Sequence, residues 1–195
     1  DWQLGKRTPD YDSEVCERRI VEYAEKIHAY TEVQRSTRPV DEVRVWVLGD
    51  IVEGEQIFPG QTFEIDSSLV EQVVGNGSRI LRNFLYSMLE IFPKVHVSAV
   101  EWNHGRVGRR GEYHPNTNMD RMLYLVAQQW FEAAGEDRMA LDIPTYEKGD
   151  RGWYTVDRIG AYSSLLIHGD QFRGGGGISA LPYPSMMKKI LHWRD

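Results

Sequence analysis

The chain has 195 residues with 23 basic and 29 acidic side chains, a formal charge of −6, and 41% hydrophobic and 11% aromatic residues. That length suits one domain spanning 1–195, and the apolar content buries enough surface to exclude global disorder. The single cysteine, Cys16, excludes an internal disulfide and a thiolate zinc cluster and points to a reducing cytoplasm, while the acidic balance excludes non-specific coating of nucleic acid.

Apolar residues at three- and four-residue spacing, from Cys16 and Ile20 through Tyr23, Ala24 and Ile27 to Tyr30, predict an amphipathic helix over 13–34, capped by Asp12 or Ser13. After the breaker Arg38-Pro39, a β-branched run predicts a strand over 43–48 that ends in Gly49-Asp50. Residues 54–66 read as a polar loop, and 67–92 as a helix with Gly75-Asn76-Gly77 as its bend or break. Pro93 ends that helix; a second strand over 95–100 opens into Glu101-Trp102-Asn103-His104-Gly105-Arg106, and a third helix covers 118–134. Strand patterns follow at 139–143, 153–158 and 162–168, then a loop holding Gly174 to Gly177, whose spacing is not that of a dinucleotide fingerprint. No apolar run reaches the roughly 18–20 residues of a membrane span, and no signal peptide is visible. Alternating strands and helices predict an α/β fold with parallel strands, giving way to consecutive strands in the last third.

Ligands collect where parallel strands end, and polar clusters stand there: Gly49-Asp50-Ile51-Val52-Glu53, Asn103-His104-Gly105-Arg106 and His168-Gly169-Asp170. A fourth, Asp1-Trp2-Gln3, reads as the outlet of a strand lying before the chain begins. Asp, Asn and His together form a mixed oxygen and nitrogen donor set, better suited to Mn, Fe or Zn than to Ca or Mg. Each cluster alone is a common turn or cap; their order and placement carry the argument. Glu53 reads equally as an orienting acceptor behind the site and as a solvated loop residue. Arg106, Arg109 and Arg110 make a basic cluster, Arg106 being the best placed to grip a substrate phosphate. Tyr113, Trp153, Tyr154 and Phe172 suit either core packing or base stacking. Of the remaining histidines, His28 belongs on a helix surface, His96 within a strand, and His114 near the arginines.

Asp-x-Gln, Gly-Asp-x-x-Glu, Asn-His-Gly-Arg and His-Gly-Asp, in that order, resemble the motifs of the calcineurin-like metallophosphoesterases, and Phe58-Pro59-Gly60-Gln61 adds a look of the phage-encoded members. The resemblance, which also takes in the double-strand-break repair nuclease branch, covers Asp1 to about Gly169. It implies a four-layer β-sandwich flanked by helices and two divalent cations, Mn²⁺ first and Zn or Fe as alternatives. It also implies Asp1 and Gln3 at the first cation, Asp50 bridging both, Asn103 and His168 at the second, and His104 as the catalytic histidine beside them. Two cations about 3.5–4 Å apart generate a bridging hydroxide and clamp a phosphate for in-line attack. The implied activity is hydrolysis of a phosphate ester, with a nucleic-acid phosphodiester such as DNA as the substrate. The alternatives are a small-molecule phosphatase or cyclic-nucleotide phosphodiesterase, or a weakened scaffold module. The chain departs from the pattern in carrying Gln3 for the usual histidine and Glu101-Trp102 for a tight turn. It also lacks a final Gly-His-x-His, for which the helical His192 is a poor substitute. These departures predict a segment of a longer protein, incomplete at both ends.

Overall fold

A computed structural model describes residues 2–109, 111–146, 154–169 and 187–188. The alternation of valines along the first strand sorts the faces of its central sheet. Strands β1 (Glu42–Val47), β2 (Lys94–Ala99) and β3 (Met139–Asp142) pair in parallel in the order β1-β2-β3. Val43 stands opposite Val95, Val45 opposite Val97 and Val47 opposite Ala99, so one face is continuously apolar.

Helices α1 (Ser13–Arg35), α2 (Ser78–Ile91) and α3 (Met119–Ala133) pack into a core with that face, through Cys16 and Ile20, Leu81 and Leu85, and Leu123 and Phe131. Asp12 is the N-cap of α1, accepting from Val15 N at 2.8 Å. The predicted stripe on α1 is only partly covered: Tyr23 stacks on Phe84 with centroids 6.1 Å apart, whereas Tyr30 is exposed. The expected break at Gly75-Asn76-Gly77 is instead a continuous widening, a π-helical stretch from Glu71 to Gly77 that runs into α2. That stretch buries Gln72, whose amide bonds Gly54 N at 2.9 Å and Ser67 O at 2.9 Å. The loop after β1 is thereby tied to the helical layer.

The opposite face carries Arg44, Trp46, His96 and Ser98, and faces the antiparallel hairpin of β4 (Tyr154–Ile159) and β5 (Tyr162–Ile167). Asp157 on β4 is 4% exposed and accepts from Arg44 Nη1 at 2.8 Å and from Trp46 Nε1 at 2.7 Å. Thr155 donates to Asp142 at 2.7 Å from the same strand. The architecture is thus mixed α/β, a parallel three-stranded sheet with helices on one side and a hairpin on the other. Residues 3–4 lie alongside the outlet of β1: Gln3 N donates to Asp50 O at 3.0 Å and Leu4 N to Ile51 O at 2.8 Å. No helix among the described residues is long and apolar enough to cross a membrane.

Asp157→Ala removes the acceptor that Arg44 and Trp46 share, while Arg44 keeps Glu42 at 2.5 Å. The expected loss is about 1–3 kcal/mol in urea unfolding. A loss below about 0.5 kcal/mol, the scale of an ordinary surface change, would show that the hairpin is not anchored there.

Candidate functional site

The outlets of β1 and β2 are held together by one carboxylate. Asp120, in the first turn of α3 and fully buried, accepts from four backbone amides. Its Oδ2 takes Asp50 N at 3.0 Å and Trp102 N at 3.3 Å; its Oδ1 takes Ile51 N at 3.0 Å and Val52 N at 3.2 Å. Asn118 caps the helix, with Oδ1 accepting from Asp120 N at 2.9 Å and Nδ2 donating to Trp102 O at 2.8 Å. Burial pushes the Asp120 carboxyl up to about 6, with the amide donors working against it, so the group is ionised at neutral pH.

This tight joint explains two glycines. At Gly49, with φ +89°, a Cβ would stand 2.9 Å from Trp102 Cβ and 3.3 Å from His168 Nδ1. At Gly105 it would overlap Asn118 Oδ1 and come within 2.8 Å of Asp120 N. The motifs Gly-Asp and His-Gly therefore mark where two loops and a helix N-terminus pass at contact distance. Asp50 itself adopts φ +51°, a left-handed conformation that costs a non-glycine residue roughly 1–2 kcal/mol and that its neighbours hold in place.

Asp50, His104 and His168 meet at this joint, and Asn103 precedes His104 in the same loop and lines the neighbouring cavity. His168 Nδ1 faces the Leu48 carbonyl at 2.8 Å, so that nitrogen carries the proton. The other ring nitrogen, Nε2, lies 3.3 Å from Asp50 Oδ2. Trp102 stacks on the His168 ring, 5.7 Å between centroids and 14° between planes, and fixes its orientation. Asp50 Oδ1 accepts from His104 N at 3.1 Å. His104 Nδ1 donates to Glu53 O at 2.8 Å and lies 3.4 Å from Glu53 Oε2, leaving Nε2 unengaged by that pair. Glu53 is 2% exposed and is held by Gln61 Nε2, at 2.8 Å to its carbonyl and 3.1 Å to Oε1. The solvated-loop alternative for Glu53 is thereby corrected: it is a buried orienting partner of His104. Its carboxyl is held below the usual range, burial working upward but outweighed by hydrogen bonds from His104 and Gln61. The Glu53 contact in turn raises His104, against its own burial.

The other expected site residues divide. Gln3 sits beside Asp50 through its backbone, but its Oε1 accepts from Lys6 Nζ at 2.8 Å. Asp1, Arg110, Trp153, Asp170, Phe172, Gly174 to Gly177 and His192 lie outside the described residues. Arg106 donates from Nε to Gly108 O at 3.1 Å and, with Arg109, Tyr113 and His114, lines a cavity next to Asn103. His28 is exposed on α1, and His96 stands 3.1 Å from Arg44 Nη1 under the hairpin. Among the described residues no group of three or more His, Cys, Asp and Glu side chains is arranged to hold a metal ion. The groups that meet at Asp50 are the His168 imidazole and the His104 backbone amide, with Asn103 in the adjoining loop.

Sequence reading missed Asp120 and Glu101. An acid in the first turn of a helix looks like any dipole-compensating residue, so Asp120 carries no local signal. Glu101 is 6% exposed, and its Oε2 has no hydrogen-bond partner among the described residues. Burial pushes its carboxyl up to about 7, with Arg121 opposing and Asp120 reinforcing. Because the folded pKa exceeds that of the unfolded chain, folding takes up a proton between about pH 4.5 and 7, and the Glu101 contribution to stability falls as pH rises through that window. In metal-free protein with chelator, Glu101→Gln is expected to gain on the parent by up to about 3 kcal/mol from pH 5 to pH 8 in denaturant titrations. A pH-independent difference would overturn this account of Glu101.

Comparison of the chain with protein-family models, with curated proteins and with solved structures returned no significant match.

Proposed function

We propose that the protein is a metal-dependent phosphoesterase, a hydrolase whose centre is built on Asp50, Asn103 and His168 with His104 as its proton donor. One observation carries the reading. The Leu48 carbonyl commits the His168 proton to Nδ1, so neutral His168 presents the bare Nε2 lone pair to Asp50 Oδ2 at 3.3 Å. Two acceptors do not face each other unless a proton or a cation lies between them. An imidazole fixed by a backbone carbonyl on its far nitrogen, opposite a carboxylate, is the arrangement metal sites use to orient their ligands.

Asp50 and His168 would hold one divalent cation, with the Asn103 amide oxygen as the proposed third ligand, and Mn²⁺, Zn²⁺ or Fe would match that chemistry. A cation there supplies Lewis-acid polarisation of a phosphate oxygen and activation of water. The chain's own residues do the rest. Glu53 holds Nδ1–H and raises the His104 pKa, which favours the imidazolium, and in that form Nε2 carries the second proton that it gives to the leaving oxygen. The backbone N–H of His104 holds Asp50 Oδ1, which aims Oδ2 at His168. Arg106 and Arg109 offer guanidinium groups to the substrate phosphate. A nucleic-acid phosphodiester is the proposed substrate, and the β4–β5 hairpin is assigned to the second sheet of a four-layer sandwich.

The Lys6 ammonium on Gln3 favours this single-cation centre over the dinuclear one that the sequence motifs imply, because that ammonium takes the place of the first cation. Equilibrium dialysis against Mn²⁺ separates the two: one ion per chain supports this arrangement, two ions the dinuclear one.

Hydrolysis of bis-p-nitrophenyl phosphate is expected to require added Mn²⁺ and to stop with chelator. Asp50→Ala is expected to lose turnover and Mn²⁺ binding together. His104→Ala is expected to lower kcat by about 10²–10⁴-fold with Mn²⁺ affinity retained, and Glu53→Gln by about tenfold or more. Normal turnover in both Asp50→Ala and His104→Ala, or hydrolysis indifferent to chelator, would overturn the assignment.

A further inference from the structure

The loop that holds Glu53 against His104 inverts the usual placement of polar and apolar side chains. Gln61 is fully buried, bonded to Glu53 and accepting from Ile57 N at 2.7 Å, while Phe63, two residues on, is 90% exposed. The buried glutamine has its reason in Glu53; the phenylalanine has none inside the fold. Its ring stands on a short 3₁₀ turn, Gln61–Phe63, that those bonds fix, so the chain there is already ordered for whatever the ring meets.

The segment beside Phe63 is basic. Arg7 N donates to Glu64 O at 2.8 Å and Asp66 N to Gly5 O at 2.8 Å, with Lys6 opposite Ile65 in an antiparallel bridge. Thr8 and Phe63 are the next residues beyond the Arg7–Glu64 bond. Thr8 lines a cavity of about 450 Å³, within the range of ligand sites, together with Gln3, Lys6, Tyr11 and Arg19. The Arg19 guanidinium lies over the Tyr11 ring, 5.3 Å from its centroid, and Lys6 Nζ gives one of its three hydrogens to Gln3 Oε1 at 2.8 Å. Both charged heads therefore stand against residues of the cavity wall. Although the chain carries 29 acidic side chains, no Asp or Glu among the described residues lines this cavity, and Lys6, Arg7 and Arg19 have no ion-pair partner there. Of the acids on these segments, Asp66 is engaged by Ser13 N at 2.6 Å and Ser13 Oγ at 2.7 Å, and Asp10 and Glu64 are exposed. Gln3 joins the cavity to the centre, since its N–H donates to Asp50 O at 3.0 Å.

We propose that Phe63 and the Lys6–Arg19 cavity form a platform for single-stranded nucleic acid, with a base stacked on Phe63 and a neighbouring phosphate held by Lys6 and Arg19. An open aromatic ring beside unpaired cations is what a single strand requires, because its bases have free faces and its backbone is anionic. A duplex presents a base face only at its ends. That the strand is also the substrate rests on the phosphoesterase reading; binding of the strand does not.

Fluorescence anisotropy of labelled hexathymidylate with the full chain, in chelator so that no turnover interferes, tests this. Phe63→Ala is expected to weaken binding by about fivefold or more, the scale of one base stacked on an aromatic ring, and Phe63→Tyr to keep the parental affinity. Arg19→Ala is expected to weaken binding and to reduce the salt slope of log K by about 0.7, the share of one phosphate in a single strand. Phe63→Ala is expected to leave that slope unchanged and to bind an abasic hexamer as the parent does. Neither position belongs to the centre, so Mn²⁺-dependent hydrolysis of bis-p-nitrophenyl phosphate is expected at the parental rate in both variants. Parental affinity for hexathymidylate in Phe63→Ala or in Arg19→Ala overturns the proposal, as does equal weakening of the abasic hexamer by Phe63→Ala. Binding of inorganic phosphate without binding of the strand overturns it too. Strand binding without any hydrolysis would keep the platform and remove the phosphoesterase; Mn²⁺-dependent hydrolysis without strand binding would remove the platform and leave the phosphoesterase.

Discussion

A single buried carboxylate accepting four backbone amides is the constraint on which the rest of this end of the molecule depends. Asp120 reaches from the start of α3 to residues 50–52 after β1 and to Trp102 after β2. Loops at strand ends otherwise have no regular partners for their N–H groups, and orphaned buried amides are costly. Charge-assisted bonds from one side chain satisfy four of them and fix the spacing of the two outlets. Burying that charge is itself expensive, and the upward pull on the Asp120 carboxyl records the expense. The gain is a rigid frame in which Asp50 tolerates a left-handed backbone and His104 and His168 approach it from opposite loops.

The periodic elements were legible because each signal is local. Strands over 43–48 and 95–100 and the helix over 118–134 emerge within a residue or two of their observed bounds, since alternation and 3.6-residue spacing survive any tertiary arrangement that covers one face. The meeting of Asp50 with His104 was legible by one further rule, that parallel strands deliver their outlets to a common edge, whereas His168 arrives from the antiparallel β4–β5 hairpin. Neither step requires knowing what lies across the loop. The widened turn from Glu71 to Gly77 was not legible, because its cause is tertiary: Gln72 must reach Gly54, and Gly77 must let Leu123 come close.

Asp120, Glu53 and Glu101 show the same boundary more sharply. All three are acids in polar stretches, where composition alone predicts solvent exposure. In the fold they are 0%, 2% and 6% exposed. What buries them is convergence: the first turn of α3 packs under both loops, and Gln61 folds back over Glu53. No periodicity encodes such contacts, so a reading of spacing finds the residues that face a substrate and misses those that hold them.

The three acids also differ in how they are compensated. Asp120 is answered by four amides; Glu53 accepts from Gln61 at Oε1, while its Oε2 has no hydrogen-bond partner among the described residues and lies 3.4 Å from His104 Nδ1. Glu101 has only the field of Arg121 to oppose its burial, and one of its oxygens remains unpaired. A residue kept for stability alone would be replaced at little cost by a neutral side chain of the same shape, since removing an unpaired buried charge relieves strain rather than creating it. Asp50 and His168 pose the same problem in another form, a carboxylate oxygen and an imidazole nitrogen 3.3 Å apart that need a proton or a cation between them. The Asp50–His168 pair lies where β1 ends, beside the Trp102 ring, and a cation there would find the partners that the protein itself withholds from each other.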